Sequence, residues 1–198
     1  MSLTAPLRRL TSFFFLLALA FATTACFKPY TVIQQSGPPS ALAGTTAMAV
    51  QFDYGNIAIS NKRMSEQQWL DTREKDEHRN TYLETKNSAN VGIIEGLQKH
   101  LQGVAISEGQ APAGGIQITV SYTFWEEGMY AGVVAWPSQV TARVIFTRDG
   151  EKLDEIEVNN KEDASLVTPA PQQRIHTIGQ RLGQYTASFV NSSLAGEG

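Results

Sequence analysis

The spacing of apolar residues changes several times along the chain, and each change predicts an element. From Ala47 to Tyr54, Met48, Val50, Phe52 and Tyr54 alternate with Ala49, Gln51 and Asp53, the period of two of a strand with one buried face. Gly55-Asn56 interrupts this strand before Ile57-Ala58-Ile59. Ser65-Glu66-Gln67-Gln68 then has the spacing of a capping box, which predicts a helix start with Trp69 and Leu70 seated on the sheet. Residues 71–90 are the most polar stretch of the body. Their charges are mixed in sign, so they read as a solvated helical excursion. Ala89, Ile93, Ile94, Leu97 and Leu101 recur every three or four residues, an amphipathic helix that Gly103 ends. Gly92 and Gly96 within it predict close packing on the sheet.

Val104-Ala105-Ile106 is a short strand, and residues 108–115 form a loop without a phosphate-cradling glycine pattern. Ile116, Ile118, Val120, Tyr122 and Phe124 then alternate with Gln117, Thr119, Ser121 and Thr123, a half-buried strand with one wet face. Val140, Ala142, Val144 and Phe146 repeat the pattern, as do residues 153–158. Asp149-Gly150 between those two strands is a hairpin signal. The three strands form an antiparallel meander. After a loop over 159–171, Ile175, Ile178, Leu182, Tyr185 and Phe189 mark the stripe of a closing helix, with His176 off the stripe. The expected fold is α+β, a mainly antiparallel sheet of about four to five strands in the order β-α-β-β-β-β-α, with two helices on one face.

Ahead of this body lies a different kind of hydrophobic run. Arg8-Arg9 precedes Phe13 to Ala22, an uncharged core of about ten residues followed by small ones, the layout of an export signal. It is shorter than the roughly 20 apolar residues that span a bilayer. Thr23-Thr24-Ala25-Cys26 resembles the acylation site of a bacterial lipoprotein signal, which implies removal of residues 1–25 and a diacylglycerol on Cys26. The sequence after the arginine pair favours export of an unfolded chain. By the same resemblance, Phe27 in place of aspartate implies the outer membrane, with the body in the periplasm or exposed at the surface. Residues 26–45, broken by Pro29, Pro38 and Pro39, read as a lipidated tether, residues 46–194 as one domain and 195–198 as an unordered tail.

Charge and composition narrow the chemistry. Two of the 16 basic residues and none of the 19 acidic ones fall in residues 1–25, so residues 26–198 carry a formal charge of −5. That is no footprint for nucleic acid. Cys26 is the single cysteine, so packing must hold the fold without disulfides. Glu74 and His78 are four apart and share a helix face if one helix spans them, yet two ligands fall short of the three or four of a zinc site. No metal or cofactor is expected. Glu126 and Glu127 are adjacent, and adjacent strand residues point to opposite faces, a poor geometry for paired-carboxylate hydrolysis. No nucleophile elbow or histidine constellation is present. The connection over 125–137 stands out, because Trp125, Met129, Tyr130 and Trp136 exceed what a hairpin needs. They are the candidate partner-binding residues, with burial of the tryptophans at the end of the core as the alternative.

Together, the cysteine site, the strand at 48–54, the long strands at 116–124 and 140–147 and the helix at 172–194 resemble small outer-membrane lipoproteins with a TolB amino-terminal-like or curli-secretion-lipoprotein-like core. The resemblance implies a non-catalytic envelope component that binds or assembles with an envelope protein, attached to the membrane through acylated Cys26. The alternatives are a binder of a small apolar or glycan ligand, and an envelope hydrolase.

Overall fold

The computed structural model describes residues 29–195. The signal, Cys26 and residues 196–198 lie outside them. The strands are β1 (Tyr30–Gln34), β2 (Ala47–Asp53), β3 (Ala58–Ile59), β4 (Ala105–Glu108), β5 (Ile116–Glu126), β6 (Met129–Tyr130), β7 (Ala135–Trp136), β8 (Ser138–Arg148) and β9 (Glu151–Glu162). The helices are α1 (Glu66–Asp71), α2 (Asp76–His100) and α3 (Pro171–Leu194). A seven-stranded sheet runs β1-β9-β8-β5-β2-β4, with β3 pairing the far end of β5, and β6-β7 form a separate ribbon.

The β5-β8-β9 meander is antiparallel, as the alternation predicts. Its tight turn places Asp149 and Gly150 both at positive φ, 50° and 85°, the backbone that matches the twist of paired strands. The sheet exceeds the expected four to five strands and is not antiparallel throughout. β2 pairs in parallel with both β4 and β5. The cause is the α1-α2 excursion between β2 and β4, which returns the chain to the end where it started.

A second correction concerns the proposed tether. Tyr30–Gln34 pairs with β9 as an edge strand, and Leu42 is completely buried. Buried Asp154 accepts from the backbone amide and hydroxyl of Ser36, and Arg148 donates to the Ala41 carbonyl at 3.0 Å. The segment belongs to the folded body from Tyr30 onward.

The capping box forms as the sequence predicts: the Gln68 amide donates to Ser65 Oγ at 3.3 Å and the Ser65 amide to Gln68 Oε1 at 3.0 Å. The polar stretch forms most of the first half of α2. Glu74 lies ahead of that helix and His78 in its first turn, so they do not share a helix face. Asp76 and Glu77 open α2, while Lys99 and His100 close it, each sign at the end of the helix dipole that favours it.

The two long helices lie side by side on the sheet face formed by Ile118, Val120, Val144, Ile156 and Val158, all at most 1% exposed. The helix glycines act differently from expectation. Gly92 and Gly96 of α2 meet Gly179 and Gly183 of α3, not the sheet. A Cβ at Gly179 would sit 2.5 Å from the Ala89 carbonyl oxygen, and one at Gly96 would collide with the Gln180 carbonyl. Side chains are absent there because backbone packs on backbone. The opposite sheet face is polar, with Gln51 donating to Thr119 at 2.8 Å across strands.

Candidate functional site

The alternation in β5 predicts Phe124 on the buried face with Tyr122. Pairing with β8 slips between Tyr122 and Phe124, and such a bulge exchanges the faces that follow it. Trp125 therefore turns inward at 0% exposure while Phe124 is half-buried. Trp125 packs edge-on to Tyr122 and Tyr82, with ring centroids 5.6 and 6.4 Å away. Asn90 Oδ1 accepts from both Tyr54 and Tyr122, at 2.7 and 2.9 Å. Burial pushes both phenols above their ordinary pKa, so they remain neutral donors. This candidate contact residue is a core residue.

The other three candidates follow Trp125 and leave the sheet. In the β6-β7 ribbon Met129 faces Trp136 and Tyr130 faces Ala135. The Ala131 amide donates to the Val134 carbonyl at 2.8 Å across the tip, and Gly132 there takes a φ of 74°. Val133 is 98% exposed, Trp136 56%, Met129 43% and Val134 42%. Tyr130 is half-buried.

The base of the ribbon is held firmly. Gly128 has a φ of 68°, and a Cβ on it would lie 2.5 Å from the Trp136 carbonyl oxygen. Arg174, in the first turn of α3, is fully buried. Its guanidinium donates to Ser138 Oγ at 2.8 Å, to the Thr168 and Pro169 carbonyls at 2.8 and 2.6 Å, and to the Glu127 carbonyl at 3.2 Å. Ser138, itself buried, donates to the same Glu127 carbonyl. One planar fork thus ties both ends of the ribbon's base to the 163–170 loop.

Arg73 holds the Glu127 side chain at 3.3 Å and stacks over the Trp69 ring at 4.0 Å. Burial raises the Glu127 carboxyl above its ordinary range, opposed by Arg73 and reinforced by neighbouring Glu126. Its Oε1 is buried without a hydrogen-bond partner among the described residues. Glu126 accepts from the Gly128 amide at 3.1 Å. The two carboxylates therefore shape the ribbon's base.

Arg174 and Ser138 were not among the sequence candidates. Arg174 did leave a trace: it precedes Ile178 by four residues and Leu182 by eight, which puts a cation on an apolar helix stripe. His176 pairs with Glu95 of α2 at 3.1 Å. Among the described residues, no group of three or more His, Cys, Asp or Glu side chains is placed to hold a metal ion. At the opposite end of the sheet, a cleft of about 420 Å³ is lined by Thr46, Met48, Ala111, Pro112, Ile116 and Arg148.

No family model matches the chain, and no curated protein matches it. Solved structures similar to it include the PelC dodecamer from Paraburkholderia phytofirmans, with TM-score 0.42, 10% identity and coverage of 78% of this chain and 97% of that one. A minor lipoprotein from Acinetobacter baumannii is similar with TM-score 0.39, 10% identity and coverage of 77% and 94%. A putative neuraminyllactose-binding hemagglutinin homolog from Helicobacter pylori is similar with TM-score 0.34, 11% identity and coverage of 81% and 87%. At these scores the likeness says nothing of what this chain binds.

Proposed function

We propose that this chain is a lipid-anchored protein of the cell envelope, fastened through Cys26 at the outer membrane, that acts by contact and not by catalysis. Its contact element is the β6-β7 ribbon. The observation that carries this reading is a valine at 98% exposure and a tryptophan at 56% on a ribbon whose base is fixed by a buried arginine. Apolar side chains held rigidly in water cost free energy, and a cluster of them marks a surface built to be covered. Among the described residues no helix is long and apolar enough to cross a membrane.

A photo-crosslinking residue at Val133 in intact cells should capture neighbouring molecules, lipid or protein, whereas one at Thr119 on the polar sheet face should not. Equal labelling from both positions would remove the ribbon from the proposal. Cys26→Ser should move the protein out of the membrane fraction. A second reading, binding of a small ligand, rests on the cleft beside Arg148 and predicts protection of that arginine from chemical modification by the ligand.

A further inference from the structure

Three features converge on the end of the sheet that bears the ribbon. The ribbon joins β5 at Glu126 to β8 at Ser138, and Ser138 lies opposite Glu162, the last residue of β9. The loop that follows β9 leaves from this same end and exposes Leu166 at 83% and Val167 at 86%. Arg174 bonds to both projections, so they are held as one unit.

The third feature is the direction of β1. Tyr30 faces Val158 and Gln34 faces Glu155, so the chain enters β1 travelling away from the Glu162 end. Cys26 precedes Tyr30 by four residues, a reach of at most about 14 Å. β9 rises about 13 Å from Val158 to Glu162. Cys26 is therefore within reach of the base of the two apolar projections at Glu162 and out of reach of the far end of β9.

Charge agrees with this placement. Residues 128–138 contain no ionisable group other than Tyr130, and residues 164–173 contain none. Of the neighbouring carboxylates, Glu127 and Glu162 are held by Arg73 and Arg181 at 3.3 and 2.7 Å, and Asp163 is exposed. Lys161 and Asp163 flank Glu162 with opposite signs. A body with a net charge of −5 over residues 26–198 is repelled by anionic headgroups, so contact with a lipid surface has to be made by uncharged residues. At this end the ribbon and residues 164–173 supply them, while the charges lie to one side, on Arg63 over the Phe124 ring and on the 71–77 segment beside Glu127.

We infer that Met129, Val133, Val134 and Trp136 of the ribbon, with Leu166 and Val167 of the adjoining loop, insert into the lipid surface to which Cys26 is anchored. The inference rests on the proposed function and names what its contact element meets. The acyl group and the two apolar projections would fix the tilt of the body, with the Asp149-Gly150 turn and the cleft beside Arg148 pointing away from the bilayer. Trp136 suits the headgroup boundary, where an amphipathic ring is stable.

The test uses the full-length lipidated protein in vesicles of phosphatidylethanolamine and phosphatidylglycerol, with and without bromine on the acyl chains. Bromine should quench Trp136 on contact. Wild-type emission should fall in the brominated vesicles, and that loss should vanish in Trp136→Phe, leaving Trp69 and Trp125 unquenched. Val133→Asp with Leu166→Asp alters only exposed positions and should abolish quenching while the protein still floats with the vesicles. A wild-type protein that floats but shows no quenching overturns the inference and leaves the anchor standing. If Trp136 is unquenched and its emission instead shifts with protein concentration, the ribbon meets a second copy and the inference is again overturned. Failure to float defeats the anchor at Cys26, and the inference falls with it.

Discussion

The two ends of the sheet each place an arginine at a junction of loops, and the arginines do different work. Arg174 is fully enclosed and spends its donors on three carbonyls and a hydroxyl, so it organises backbone without a carboxylate partner. Arg148 is half-buried, donates to the Ala41 carbonyl, and leaves its Nε without a partner among the described residues beside an open cleft. At the Arg174 end, the loops project uncharged apolar side chains. At the Arg148 end, they carry small side chains such as Ala43, Thr45, Ala111 and Pro112, and buried Asp154 pins residue Ser36 against the body. In the 163–170 loop the guanidinium adds to the loop's own bonds between Ser165 and Thr168, and with its polar groups so occupied the loop turns Leu166 and Val167 outward.

The largest expected effect is Arg174→Met, which removes the donor from the Thr168 and Pro169 carbonyls and from buried Ser138 Oγ. A group left unpaired costs about 1–3 kcal/mol, while the Glu127 carbonyl keeps the Ser138 hydroxyl. Urea unfolding should show a loss of about 3 kcal/mol or more, and crosslinking from the ribbon should become unspecific. Arg174→Lys should recover only part of this, because an ammonium cannot reproduce the planar fork. A loss equal to that of Arg148→Ala would erase the distinction between the two ends.

Next in size is Gly96→Ala in the helix pair that backs the whole sheet. The added methyl meets the Gln180 backbone, and overpacking of this kind costs about 1–3 kcal/mol. Both ends should loosen together, which hydrogen exchange would register as an equal loss of protection at the two ends of β8, near Val140 and near Phe146.

Glu127 separates the ends by pH. Its folded carboxyl pKa lies above the ordinary value of 4.5, so its contribution to stability is fully present below that value and is lost as pH rises through the folded pKa. Relative to Glu127→Gln, the wild type should lose stability as the pH rises from below 4.5 to above it. Urea midpoints across that range would show it, and parallel curves for the two proteins would contradict the burial argument. The smallest effect belongs to Arg148→Ala, which loses one hydrogen bond and should cost about 0.5–1.5 kcal/mol.

Much of the body was legible in one dimension. The alternation at 116–122 and 140–146, the Asp149-Gly150 turn, the Ser65 box and the α3 stripe report local periods that survive folding because each element buries one face. Direction and neighbours were less legible. The Tyr30–Gln34 strand sits in a proline-broken segment and exists because β9 offers it a long free edge. β2 lies parallel to β4 because two helices carry the chain back between them, and parallel to β5 because the 109–115 loop carries it back once more. Of the candidate contact residues, Met129 and Trp136 stay exposed, while the slip after Tyr122 sent Trp125 into the core.

Local residue order by itself determined which segments form most of the strands and helices, and where the aromatic connection and the single cysteine lie. These are properties of spacing and chemical type. Only the tertiary structure decided that the helix glycines meet each other, that Arg174 is buried among carbonyls, and that the ribbon and the 163–170 loop share one end. Each of those depends on contacts between residues far apart in the chain, whose partners and register are chosen when the sheet and the helix pair close on a common core.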